Sequence, residues 1–189
     1  MKSLKKYRLA IVIILSLTFL LAEDYRIVEI PDFVTSSFYP SKNYFGITSF
    51  YSRDAIAILF DRDGNKLFEF RESEEGRKPL AIIPIEKHNV FIVYYYCTEY
   101  EPGYLVGYNL SDGRELWRTE FSGSIITISP NRDYISSKYG CLVADTYTPY
   151  ISVVRVKDGY SMKLPEKLGI EADWIDNERI ALESSIKVR

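Results

Sequence analysis

A chain of 189 residues with 47% hydrophobic and 26% charged residues has the size and composition of a single globular domain. Aromatic residues make up 15% of it and tyrosine alone occurs sixteen times, a bias toward strands over helices. The net charge of −2, with no Lys/Arg cluster beyond the first ten residues, excludes functions built on contact with a nucleic-acid phosphate backbone.

The N-terminus comes first. Lys2, Lys5, Lys6 and Arg8 form a basic start, Leu9 to Leu21 is apolar except for Ser16 and Thr18, and Ala22 precedes Glu23 and Asp24. That order of charge, short apolar stretch and small residue predicts a secretory signal over residues 1–22, followed by a single domain over 23–189. The apolar stretch is shorter than the roughly 20 residues of a comfortable membrane span. Leu20 stands where a small residue is usual, so an uncleaved N-terminal membrane anchor is the alternative. Loss of the four basic residues takes the charge from −2 to −6. The expected location is extracytoplasmic, secreted or periplasmic.

Self-similarity then appears along the chain. Tyr39-Pro40-Ser41-Lys42-Asn43-Tyr44 is echoed by Ser129-Pro130-Asn131-Arg132-Asp133-Tyr134, with Ile83-Pro84-Ile85-Glu86-Lys87-His88-Asn89-Val90 between them. The three prolines are 44 and 46 residues apart, and a version without proline starts at Asp173-Trp174. A second marker keeps step. Asp63-Gly64, Asp112-Gly113 and Asp158-Gly159 are spaced by 49 and 46 residues, and the first two lie between clear apolar runs. Asp-Gly in that setting signals a hairpin, because glycine adopts positive φ without steric cost. Each repeat of about 45 residues therefore holds four short strands, the content of one propeller blade. The predicted fold is all-β, with about three and a half four-stranded propeller-type repeats, forming a partial or a small four-bladed β-propeller. One helical turn is expected between Pro165 and Glu171.

Tyr108-Asn109-Leu110-Ser111-Asp112-Gly113-Arg114-Glu115-Leu116-Trp117 resembles the repeat of quinoprotein-like propellers, in which a tryptophan follows the turn glycine by four residues and docks on a neighbouring blade. Gly113 and Trp117 match that pattern, Phe68 replaces the aromatic after Gly64, and Lys163 stands there after Gly159. The Ser-Pro-Asn-Arg-Asp-Tyr segment is similar to WD40-like propellers and to those of Tol translocation proteins. These resemblances imply architecture and no particular activity.

Candidate sites are few. Cys97 and Cys141, one repeat apart, are a disulfide candidate, with two buried thiols as the alternative. Asp61, Asp63, Asn65 and Glu72 fit four positions of a calcium loop but Lys66 replaces its required glycine, so a solvated turn is expected. His88 is the only histidine and has no zinc-type spacing with the cysteines. No catalytic, cofactor-binding or metal-binding residue is predicted, and no cofactor. Tyr96, Tyr100 and Tyr104 flank a loop from Thr98 to Gly103 and are the candidate binding surface. The expected function is a non-enzymatic binding or scaffold protein that recognises another protein or an envelope component. The alternative is a fragment or subunit of a quinoprotein-like oxidoreductase. Partners are a protein, an envelope component, an oligomer or a second propeller chain, with no nucleic acid and no membrane contact beyond the N-terminal segment.

Overall fold

The computed structural model describes residues 37–49, 55–72, 76–96, 102–121, 123, 125–138, 150–165 and 170–184. The predicted signal, Cys97, Tyr100 and Cys141 lie outside them.

Three four-stranded antiparallel sheets follow one another along the chain. Sheet 1 holds β1 (Ser37–Pro40), β2 (Tyr44–Ser49), β3 (Ile56–Asp61) and β4 (Lys66–Phe70). Sheet 2 holds β5 (Pro79–Ile85), β6 (Val90–Tyr95), β7 (Gly103–Asn109) and β8 (Glu115–Phe121). Sheet 3 holds β9 (Ile126–Ile128), β10 (Tyr134–Ser137), β11 (Tyr150–Arg155) and β12 (Ser161–Pro165). A pair, β13 (Ile170–Trp174) with β14 (Ile180–Ser184), makes the half-repeat. Every strand pairs with its sequence neighbour, so the sheets are meanders, as propeller blades are. The helical turn expected between Pro165 and Glu171 is corrected at its ends. Pro165 closes β12 and Glu171 lies within β13, while 166–169 fall outside the described residues.

The core is made between sheets. Strand side chains alternate between faces, and sheet 2 is apolar on both. Ile83, Ile85, Val90, Ile92, Tyr94 and Leu105 pack with Ile135, Val154 and Val156 of the third repeat. Ile82, Phe91, Val93, Tyr95, Tyr104 and Val106 pack with Ala57 and Leu59 of the first. Gly46 lets the blades approach closely, since a Cβ there would lie 1.9 Å from the carbonyl oxygen of Ile82.

All three Asp-Gly glycines have positive φ, 83° at Gly64, 72° at Gly113 and 70° at Gly159. The aspartates before them do not, which rules out the two-residue type I′ turn. The loops are longer, closed by Gly113 N–H donating to Asn109 O and Gly159 N–H to Arg155 O, each at 2.9 Å. Asp112 and Asp158 accept from the backbone N–H two residues on, at 2.9 and 3.2 Å. Aspartate here supplies an Asx-type cap and glycine the left-handed conformation.

These loops carry the junction between blades. A Cβ on Gly113 would lie 2.5 Å from the Phe68 ring, and one on Gly159 2.7 Å from the Trp117 ring. The aromatic of each repeat thus rests on the turn glycine of the next. Trp117 also donates its indole N–H to Val156 O at 3.1 Å. In the third repeat Lys163 occupies the aromatic position and reaches Glu120 of sheet 2 at 2.8 Å, with both side chains about half exposed. Trp117→Ala is expected to cost about 3 kcal/mol and lower the melting temperature strongly, as is Gly159→Ala, which pushes a methyl into the ring. Lys163→Ala should shift stability by less than about 0.5 kcal/mol. Thermal denaturation of the three variants checks this, and similar small shifts in all three would refute the interlock.

Candidate functional site

Antiparallel strands reverse at each turn, so the turn between strands one and two of a sheet and that between strands three and four share one end. Backbone contacts confirm this placement, Leu110 N–H donating to Asn89 O and Val156 N–H to Asp133 O, both at 2.9 Å. The inner turns of the first three repeats therefore meet on one face. They comprise residues 41–43, a 3-10 turn at Glu86–His88 with Asn89, and residues 129–133. The prolines that marked the repeat are not structurally equivalent. Pro40 closes β1, Pro84 pairs with Phe91 inside β5, and Pro130 lies in the turn after β9. Serine is the shared element, the hydroxyls of Ser41 and Ser129 donating to the carbonyls of Tyr44 and Tyr134 at 3.0 and 3.2 Å.

One carboxylate joins each adjacent pair of turns. Glu86 accepts from Ser41 Oγ at 2.6 Å, from Asn43 N–H at 2.8 Å and from Asn43 Nδ2 at 2.6 Å. Partial burial acts to raise the Glu86 carboxyl, but the hydrogen bonds from Ser41 and Asn43 outweigh it and hold the group below its ordinary range. Asp133 accepts from Lys87 Nζ at 2.6 Å and lies 2.6 Å from His88 Nε2 on the same oxygen. The Lys87 hydrogen bond, seconded by His88, lowers the Asp133 carboxyl.

Arg132 crosses all three turns. Its φ of 61° is left-handed, unusual for a residue that is neither glycine nor Asn/Asp. Its guanidinium donates to Pro84 O at 3.4 Å and to Pro40 O at 3.2 Å. Pro40, Ser41, Lys42, Glu86, Lys87 and Arg132 line an open depression of 520 Å³. Three of these six carry positive charge and one negative, in a chain that is acidic overall.

The tyrosines of β6 and β7 are divided between core and surface. Tyr94, 2% exposed, belongs to the core facing sheet 3, and Tyr95, 6% exposed, to the core facing sheet 1. Tyr96 is 37% exposed at the end of β6. Tyr104 is a correction, for it is 6% exposed and lies opposite Tyr95 in the β6–β7 ladder, with ring centroids 4.9 Å apart. The guanidinium groups of Arg77 and Arg118 lie 5.0 and 4.8 Å from its ring centroid. It is buried because both faces of sheet 2 are covered. Tyr100 and the cysteine pair fall outside the described residues. Asp61 of the calcium-like loop accepts from Asn65 N–H at 2.8 Å and Asn65 Nδ2 at 2.9 Å, the bonds of a closed turn. Among the described residues no group of three metal-ligating side chains occurs, and no helix is long and apolar enough to cross a membrane.

Sequence reasoning missed the site. Lys42, Glu86, Lys87, Arg132 and Asp133 all stand in the repeated segments, but they served only to mark the repeat. Their signal was the density of charged and amide side chains at three turns that a blade alignment brings together.

No family model matches the chain, and no curated protein matches it. Among solved structures it is similar to TolB from Acinetobacter baumannii, at a TM-score of 0.40 and 10% identity over 78% of this chain. The chain spans 39% of that protein's length.

Asp133 and Glu86 both have carboxyls lowered by the fold, so the stability they contribute is present above the unfolded carboxylate pKa and is lost as pH falls through the lower folded values. The melting temperature should accordingly be level near neutrality and fall below about pH 4. Asp133→Asn should lower the neutral plateau and shrink the acid-induced drop. A pH series of thermal melts tests this, and an unchanged acid limb in the variant would show that Asp133 is not part of the linkage.

Proposed function

We propose that the chain is exported and acts as a non-enzymatic propeller-type recognition or scaffold module, presenting its inner-turn face to another protein or to an envelope component. The observation that carries this reading is the depression in which turns of three repeats converge around Arg132. Loops on a rigid sheet scaffold are where recognition is usually placed. This face combines that location with turns fixed to one another by Glu86 and Asp133. Its side chains offer hydrogen-bond donors and charge, the chemistry of binding rather than of bond cleavage. The basic start, short apolar stretch and Ala22 support export.

Two outcomes are expected. Mass spectrometry of the protein from its native host should find a mature N-terminus just after Ala22, and an intact Met1 in soluble cytoplasmic material would contradict export. A photo-crosslinking residue placed at Lys42 in the native host should give a discrete adduct. The same residue at Leu116, exposed on the outer strand β8, should give none. Identical patterns at both positions would overturn the assignment of the inner-turn face.

A further inference from the structure

Of the three cations that line the depression, Lys87 is paired with Asp133, while Arg132 and the Lys42 ammonium have no carboxylate partner. Arginine has five N–H donors in a fixed fork. Arg132 directs two of its contacts to backbone carbonyls, Pro84 O and Pro40 O, and makes no carboxylate contact. Those two carbonyls come from the innermost strands of sheets 1 and 2, so they orient the guanidinium without neutralising it. Lys42 is exposed on the rim, its backbone N–H donates to Glu86, and its ammonium faces no carboxylate. Lys87 shares Asp133 Oδ1 with His88, so one carboxylate oxygen serves two nitrogen donors. Glu86 is the one carboxylate of the lining, and its oxygens are taken by Ser41 and Asn43 rather than by a cation.

We infer that this depression binds an acidic segment of a partner protein, with carboxylates on Arg132 and on the flanking Lys42 and Lys87. The inference rests on the inner-turn face being the recognition surface and specifies the chemistry that face selects. A guanidinium held in place by carbonyls is suited to carboxylates, which accept its parallel N–H groups in bidentate fashion. The form of the depression decides between a small anion and a peptide. It is open and wide, 520 Å³ across turns of three repeats, so a single small ion would keep most of its water and gain little from exposed cations. An extended segment bearing several carboxylates engages the three cations together, and linked contacts strengthen one another through effective concentration. The overall charge, −6 once the signal is lost, repels such a segment at long range. Binding therefore depends on the local cluster and weakens with salt.

Calorimetric titration of the purified full chain with hexaglutamate, hexalysine and inorganic phosphate at low ionic strength tests the inference. Hexaglutamate should bind with an affinity that falls as salt is added, and hexalysine should not bind. Lys42→Gln and Arg132→Gln should each weaken hexaglutamate about fivefold to tenfold. The Lys42 side chain makes no polar contact and its backbone bond to Glu86 survives substitution, so that variant separates loss of binding from loss of fold if its melting temperature matches the parent. Absence of hexaglutamate binding, binding indifferent to both substitutions, or phosphate binding of equal strength and equal sensitivity would each overturn the inference. Failure here beside a discrete adduct at Lys42 would remove the acidic ligand and leave the recognition face standing. Failure of both would remove the face as well.

Discussion

The seating of one repeat's aromatic ring on the next repeat's turn glycine is the contact on which this architecture depends. Phe68 lies where a side chain on Gly113 would have to be, and Trp117 where one on Gly159 would be. Each contact joins the outermost strand of one sheet to the outer turn of its neighbour, so it fixes the angle at which consecutive blades splay. The apolar layers inside, with Ile83, Val90 and Ile92 on one side of sheet 2 and Phe91, Val93 and Val106 on the other, are then set at a spacing that side chains can fill. The third repeat has Lys163 in place of the aromatic, and Lys163 turns back to Glu120 instead.

The repeat was legible in the sequence because its signals are local. Asp-Gly turns, short apolar runs and the Gly113–Trp117 spacing each lie within a dozen residues. Three four-stranded sheets and a half-sheet follow from them directly. Tyr104 is buried, against expectation, for a reason of symmetry. Tyr94 and Tyr95 point to opposite faces, which argues for exposure only when one face of a sheet is wet. In sheet 2 both faces are dry, so Tyr94 enters one core while Tyr95 and Tyr104 enter the other. The site itself was hidden by distance along the chain. Ser41 and Glu86 are 45 residues apart, Lys87 and Asp133 46, and Arg132 and Pro40 92. These partners do not fall at matching repeat positions, because the first inner turn is shorter than the third. An alignment of prolines consequently places the wrong residues opposite one another.

Sheet 1 shows how far the two-faced pattern extends. Its side toward sheet 2 contributes Ala57 and Leu59, and its other side carries Ile47, Ile58 and Phe60 with Phe38 and Phe45 beside them. Phe45 stacks on Phe60 with centroids 5.1 Å apart and planes 9° from parallel. A strand with one exposed face alternates apolar with polar residues, and β3, apolar from Ile56 to Phe60, does not. The inner strands of sheet 1 are thus apolar on both sides.

A loop-built surface binds well only if its loops are held before the ligand arrives, since ordering them on binding would subtract from affinity. The inner-turn face meets that condition through its own polar groups. Glu86 ties the first turn to the second, Asp133 ties the second to the third, and Arg132 reaches from the third back to the first. The three links form a closed circuit, so no turn can swing without breaking a contact to another repeat. The left-handed backbone at Arg132 is part of the same arrangement. A residue with a Cβ holds such a conformation only where its surroundings impose it. Here the conformation aims the guanidinium inward across two strand ends, whereas a right-handed residue at this position would follow the turn in a different direction. The circuit and the strained residue together convert three flexible turns into one rigid, charged floor.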